Sequence, residues 1–161
     1  MIIILMGVSG SGKTTIGQRL AAGLGWPFYD GDQFHPQANV AKMQQGIPLT
    51  DEDRWPWLQA LRAQIATCIQ QGVSAVLACS ALKQVYRAYL LIDETQVKLV
   101  YLKGDYALIR ERLAQRHGHF MPPELLASQF AALEEPEQGV IVDIAHPPET
   151  IVALIRQHLG V

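Results

Sequence analysis

The clearest chemistry in the sequence lies in one short run near its start. Gly7-Val8-Ser9-Gly10-Ser11-Gly12-Lys13-Thr14 fits G-x-x-x-x-G-K-[ST] at every fixed position. Each residue type has a physical role there. Glycines let successive backbone N–H groups turn inward around phosphate oxygens. Lys13 reaches the β and γ phosphates, and the Thr14 hydroxyl suits Mg²⁺. The helix that follows aims its N-terminus at the anion, and Thr15 joins the candidate nucleotide-binding residues at its first turn. The run implies binding of nucleotide phosphate, with ATP and Mg²⁺ as the expected pair. It does not by itself name a reaction.

A second group follows at Asp30-Gly31-Asp32. If the segment is extended, residues i and i+2 point the same way, so both carboxylates would face one cleft. That pairing suits phosphoryl transfer. One carboxylate, assigned to Asp30, would hold Mg²⁺, and the other, Asp32, would orient an attacking hydroxyl and take its proton. The run Ala75-Val76-Leu77-Ala78-Cys79 ends without an acid, which leaves the 30/32 pair as the acidic partner of the phosphate loop. No N-K-x-D guanine motif occurs, which weighs against a GTPase.

The elements that must carry these groups can be read from apolar periodicity. Continuous apolar runs at about 2–6, 27–30, 74–79, 97–102 and 139–143 read as strands buried on both faces of a parallel sheet. Helical spacing marks Ile16, Leu20 and Leu24 with a stop at Gly25, then Leu58, Leu61, Ile65 and Ile69 with a stop at Gly72. Ile109 and Leu113 mark a further helix, and Ile151, Ile155 and Leu159 mark the last, from near Pro147-Pro148 to Gly160. The alternation predicts an α/β domain with right-handed crossovers. Two connections, 31–72 and about 116–138, are longer than a crossover needs, and long connections tend to be functional.

Composition bounds the rest. A chain of 161 residues, 49% hydrophobic and 17% charged, fits one domain with one core, residues 1–161. A formal net charge of -2 gives no nucleic-acid footprint and no membrane-surface patch. Cys68 and Cys79 are too few for a disulfide framework and read as buried thiols. The apolar start Ile2-Ile3-Ile4-Leu5-Met6 is too short to span a bilayer or act as a signal peptide, so a cytoplasmic location is expected.

Several motifs together resemble the gluconate kinase family. They are Asp30-Gly31-Asp32-Gln33-Phe34-His35-Pro36, then Asn39, Lys42-Met43, Gly46, Pro48-Leu49 and Asp51-Glu52-Asp53-Arg54. Pro56-Trp57-Leu58, Cys79-Ser80-Ala81-Leu82-Lys83 with Tyr86-Arg87, and Tyr101-Leu102-Lys103-Gly104-Asp105 extend the match. Gly118-His119-Phe120-Met121 and Ser128-Gln129-Phe130 complete it. The resemblance implies phosphorylation of D-gluconate by ATP to 6-phosphogluconate. It also implies a three-layer P-loop kinase fold with a five-stranded parallel sheet, similar to nucleoside monophosphate kinases and shikimate kinase, with a mobile lid at about 116–136. A homodimer is implied as well. Thr14 stands where many members have Ser, an equivalent hydroxyl for Mg²⁺.

Gluconate is a polyol with a carboxylate, so its site needs cations. The insert 31–72 offers His35, Lys42 and Arg54, and the segment after the third strand offers Lys83 and Arg87. Arginine suits two-point carboxylate recognition. His35 could equally be a cap or a packing residue before Pro36, and Trp55 and Trp57 read as packing. Arg112 and Arg116 share a helical face. In this fold class the first of such a pair often covers adenine and the second contacts phosphate. Another P-loop kinase, for shikimate or a nucleotide, and a non-enzymatic ATP-sensing module are the alternatives. A sensor needs neither the acidic pair nor an acceptor insert.

Overall fold

The computed structural model describes residues 1–116 and 123–161. Five parallel strands run β1 (Ile2–Met6), β2 (Phe28–Asp30), β3 (Ala75–Ala78), β4 (Val97–Lys103) and β5 (Val140–Asp143). Their spatial order is β2-β3-β1-β4-β5. The strand that leads into the phosphate loop therefore sits at the centre, paired with β3 on one side and β4 on the other.

Alternation along β1 divides the core into two layers. Ile2, Ile4 and Met6 pack with Trp57, Leu61 and Ile65 on one face of the sheet. Ile3 and Leu5 pack with Ile16, Leu20, Ile151 and Ile155 on the other. All five residues of β1 are buried, which is why the strand reads as a continuous apolar run rather than an alternating one.

The helices complete three layers. α1 (Lys13–Leu24) begins at Gly12, whose φ of 94° favours glycine, and ends at Gly25. α2 (Gln37–Gln44) and α3 (Asp51–Gln70) occupy the long connection after β2. α3 opens on a reciprocal cap, with Thr50 accepting from the Asp53 N–H and Asp53 accepting from the Thr50 N–H. α4 (Gln84–Leu90) follows β3, and α5 (Tyr106–Ala114) follows β4. α6 (Pro123–Ala132) lies within the second long connection, and α7 (Pro148–Leu159) closes the chain. The expected strands and marked helices are all present, each within about two residues of the boundary read from the sequence. Residues 117–122, which include His117, His119 and part of the expected lid, lie outside the described residues.

Candidate active site

The phosphate loop leads from β1 into the N-terminus of α1. Among the described residues no side chain caps the N-terminus of α1, and its first turn holds no acid. Lys13 curls back so that Nζ donates to the carbonyls of Gly7 and Val8, each at 2.9 Å. Burial pushes the Lys13 pKa down, while the charges of Asp32 and Asp30 pull it back up. The Ser11 hydroxyl is buried in the same loop without a hydrogen-bond partner among the described residues. An uncapped helix end, a folded-back lysine and an orphaned hydroxyl fit a polyphosphate and its metal ion.

Beside the loop is a cavity of about 450 Å³. Lys13, Thr14, Asp30, Asp32 and Arg54 all line it, as does Ser9. The acidic pair reaches it by a route the extended-segment expectation did not foresee. β2 ends at Asp30, and a 3₁₀ turn follows over Gly31–Phe34. The Asp30 carboxylate accepts the Asp32 N–H at 3.0 Å and so caps that turn. The turn presses against the end of β3, where a Cβ on Gly31 would lie 2.4 Å from the Ala78 carbonyl oxygen. Only glycine allows that approach. Trp57, buried in α3, donates its indole N–H to the Gly31 carbonyl at 2.8 Å and fixes the turn from below.

The cations divide. Arg54 faces the cavity and donates to the Tyr86 hydroxyl at 3.0 Å. Lys83 does not line the cavity and instead donates to Asp51 at 2.9 Å, with the Tyr86 hydroxyl donating to the same carboxylate oxygen. Tyr86 and Lys83 hold Asp51 below the usual carboxylate range. Lys42 pairs with Asp53 at 2.8 Å, so it holds α2 against α3.

Arg87 is not in the cavity. It is 2% exposed, and its guanidinium donates to the carbonyls of Ala81, Leu82 and Glu134 and to the Gln84 side chain. Ala81 takes a left-handed φ of 43°, costly for alanine, and Arg87 braces that bend. Arg87 thus ties down the segment that carries Ser80 and Leu82, both of which line the cavity. His35 is also turned away. Its ring stacks on Trp57 at 4.3 Å, and its Nδ1 accepts from Asn39 Nδ2 at 3.2 Å. Asn39 Nδ2 also donates to the Asp53 carbonyl, which orients the amide and leaves the histidine proton on Nε2.

A smaller cavity of about 220 Å³ lies on the other side of the loop, lined by Gly10, Gly12, Thr15, Arg112, Arg116 and His146. Arg116 lines both cavities, and Arg112 donates to the Ile144 carbonyl at 2.6 Å. The sequence reading missed His146, and it gave no role to Gln129, which lines the larger cavity and appears there only within the Ser128-Gln129-Phe130 motif. His146 could have been found from its place after β5, at the sheet edge where such folds bind ligands.

Comparison with known proteins gives the chain's relatives. The model of a family described as AAA domain matches residues 2–136. The chain is 47% identical over 158 residues to a thermosensitive gluconokinase of Escherichia coli (strain K12), covering 96% of this chain and 84% of that protein. Among solved structures, a gluconokinase from Sinorhizobium meliloti 1021 superposes with a TM-score of 0.90 at 42% identity, covering 98% of this chain and 90% of that one. A shikimate kinase from Aquifex aeolicus superposes with a TM-score of 0.61 at 18% identity over 99% of this chain and 96% of that one, a likeness of fold alone.

Proposed function

Because the chain belongs to the gluconokinase family, we propose that it transfers the γ-phosphoryl group of ATP to the C6 hydroxyl of D-gluconate, giving 6-phospho-D-gluconate and ADP. One observation carries the residue roles. Lys13, Asp32 and Arg54 wall a single cavity beside the phosphate loop.

The loop N–H groups and Lys13 bind the phosphates of ATP, and Lys13 offsets charge that develops on the transferring group. Asp32 orients the acceptor hydroxyl toward the γ phosphorus and accepts its proton as the new P–O bond forms and the bond to ADP breaks. The Thr14 hydroxyl and the Asp30 carboxylate would hold Mg²⁺, which would supply charge neutralisation along the phosphate chain. Arg54 binds the gluconate carboxylate. Thr15, Arg112 and Arg116 take the nucleotide side, supported by their shared cavity.

The reading treats 1–161 as one kinase domain, with 31–72 as the acceptor-binding insert and 116–136 as a mobile lid. The family resemblance supports a homodimer, and dependence on ATP supports a cytoplasmic location. Among the described residues no helix is long and apolar enough to cross a membrane. ADP release with gluconate, shikimate, AMP, glucose or no acceptor tests the assignment. Release that depends on gluconate alone supports it, and equal release without an acceptor contradicts it.

A further inference from the structure

Gln129 joins two parts of the chain that are 120 residues apart. Its Oε1 accepts the Ser9 backbone N–H at 2.8 Å, and its Nε2 donates to the Ser9 hydroxyl at 3.0 Å. Ser9 belongs to the phosphate loop, and both residues line the larger cavity with Lys13 and Asp32. Among the described residues no other side chain of α6 bonds the phosphate loop.

The rest of α6 is held elsewhere. Beyond its C-terminal end the Glu134 N–H donates to the Leu82 carbonyl at 2.8 Å, and Arg87 donates to the Glu134 carbonyl at 2.7 Å. Phe130 meets Tyr106 of α5 edge to face at 5.4 Å. Leu126, in the first half of α6, is buried in the same core layer as Val8 of the loop. Apolar packing therefore docks the helix, and Gln129 adds the directional contact that fixes it on Ser9. A two-point amide contact fixes both distance and rotation, which one hydrogen bond cannot do. The residue type also matters. A carboxamide is neutral, so it can sit beside a triphosphate without repulsion. A glutamate would still accept from the Ser9 N–H but would lose the donated bond and add a negative charge.

We infer that Gln129 is a positioning residue for phosphoryl transfer: by gripping Ser9 at two points it sets α6 over the phosphate loop and keeps water from the γ phosphorus while the acceptor hydroxyl attacks. This rests on the kinase reading given above. The group it acts through is Ser9, and its effect is on the partition between two acceptors. In productive turnover the phosphoryl group passes from ADP oxygen to the gluconate hydroxyl. In the failure that Gln129 prevents, it passes to water and leaves as inorganic phosphate.

The test measures ADP, phosphogluconate and melting temperature for wild type, Gln129→Ala, Gln129→Glu, Ser9→Ala and the Ser9→Ala/Gln129→Ala pair. Gluconate-dependent kcat should fall about 100-fold in Gln129→Ala, the scale of a small misplacement at a reacting centre. ADP should outrun phosphogluconate in that variant, and the pair should be no worse than Gln129→Ala alone, since both changes break one contact. Gln129→Glu, which keeps the shape and should keep the melting temperature, should lose turnover and raise the KM for ATP. Unchanged turnover, or one-to-one stoichiometry with only a lower melting temperature, would overturn the inference. So would multiplicative effects of the two single changes. If wild type phosphorylates no gluconate, the kinase reading fails on its own. Gln129 is then judged by acceptor-free ATP hydrolysis, where a rise in Gln129→Ala supports the contact's role and no change overturns it.

Discussion

The Trp57 indole N–H donates to the carbonyl of Gly31 at 2.8 Å, the residue between the two carboxylates of the site. A core side chain in α3 thus holds the backbone that aims the acidic pair. Trp57→Phe removes the donor and leaves the Gly31 carbonyl without it. We expect a loss of about 2 kcal/mol, or roughly 6 °C in melting temperature. Turnover should fall about tenfold with the KM for ATP unchanged, since the phosphate loop is not touched. Calorimetry with steady-state kinetics checks both. A stability loss with full turnover would mean the turn is held without Trp57.

Asp30 and Asp32 should fail differently. Asp30→Asn keeps an oxygen that can accept the Asp32 N–H, so the 3₁₀ turn should survive. What changes is charge, and the expected result is a higher Mg²⁺ requirement. Asp32→Asn removes the proposed proton acceptor and should lower kcat by about 10² to 10⁴-fold with little effect on ATP binding. A Mg²⁺ titration of both variants decides the matter, and exchanged phenotypes would exchange the roles.

The cations give a third contrast. Arg54→Ala should raise the KM for gluconate, with less change for ATP, because Arg54 lines the cavity. Arg87→Ala should instead destabilise the fold by about 3 kcal/mol, because several carbonyls lose one shared donor. Its KM for gluconate should move less than that of Arg54→Ala. Lys83→Ala should fall between them, since it acts on the cavity through Asp51 and Tyr86. If Arg87→Ala raises the gluconate KM most, the cavity is misassigned.

How much of this was legible in sequence depended on distance along the chain. The phosphate loop was legible because its spacing is fixed and local. The acidic pair was legible too, but its geometry was not, since the 3₁₀ turn depends on Gly31 packing against Ala78 from another strand. The sequence offers Arg87 as one candidate cation for a sugar acid, with surface solvation as the alternative, since arginines usually face solvent or ligand. Its burial follows from the bend at Ala81 and the return of the chain at Glu134, neither visible locally. The sequence leaves His35 open between binding and packing, and in the structure its ring stacks on Trp57, a long-range contact that no local pattern encodes. The Ser9–Gln129 contact depends on how α6 docks, which no periodicity encodes.

His35 predicts a pH dependence of stability. Burial first, and the Arg54 charge second, hold its pKa down to about 4 against an ordinary 6.5. The folded protein therefore keeps the ring neutral between those values while the unfolded chain binds a proton. Protonation favours unfolding, so stability falls as pH drops from 6.5 to 4. Because the ring is half-buried, the full shift is discounted to about 2 kcal/mol. Asp53, held down at about 2 chiefly by Lys42, loses its contribution only below pH 4, in a separate window. Urea unfolding at pH 6.5, 5 and 4 should show the slope in wild type and a flatter one in His35→Phe. Equal slopes would remove His35 as the cause.

Product analysis by ³¹P NMR tests the central claim most directly. The protein is incubated with ATP, Mg²⁺ and D-gluconate, with Lys13→Ala and D-glucose as parallel reactions. The account predicts a phosphomonoester coupled to the two protons of a CH₂ group, as at C6, formed one-to-one with ADP. It predicts at least about 10³-fold less product with glucose, whose lack of a carboxylate leaves Arg54 without its partner. Folded Lys13→Ala should form product about 10³-fold more slowly or not at all. ADP accompanied only by inorganic phosphate, phosphate on a secondary carbon, or undiminished turnover in Lys13→Ala would contradict it.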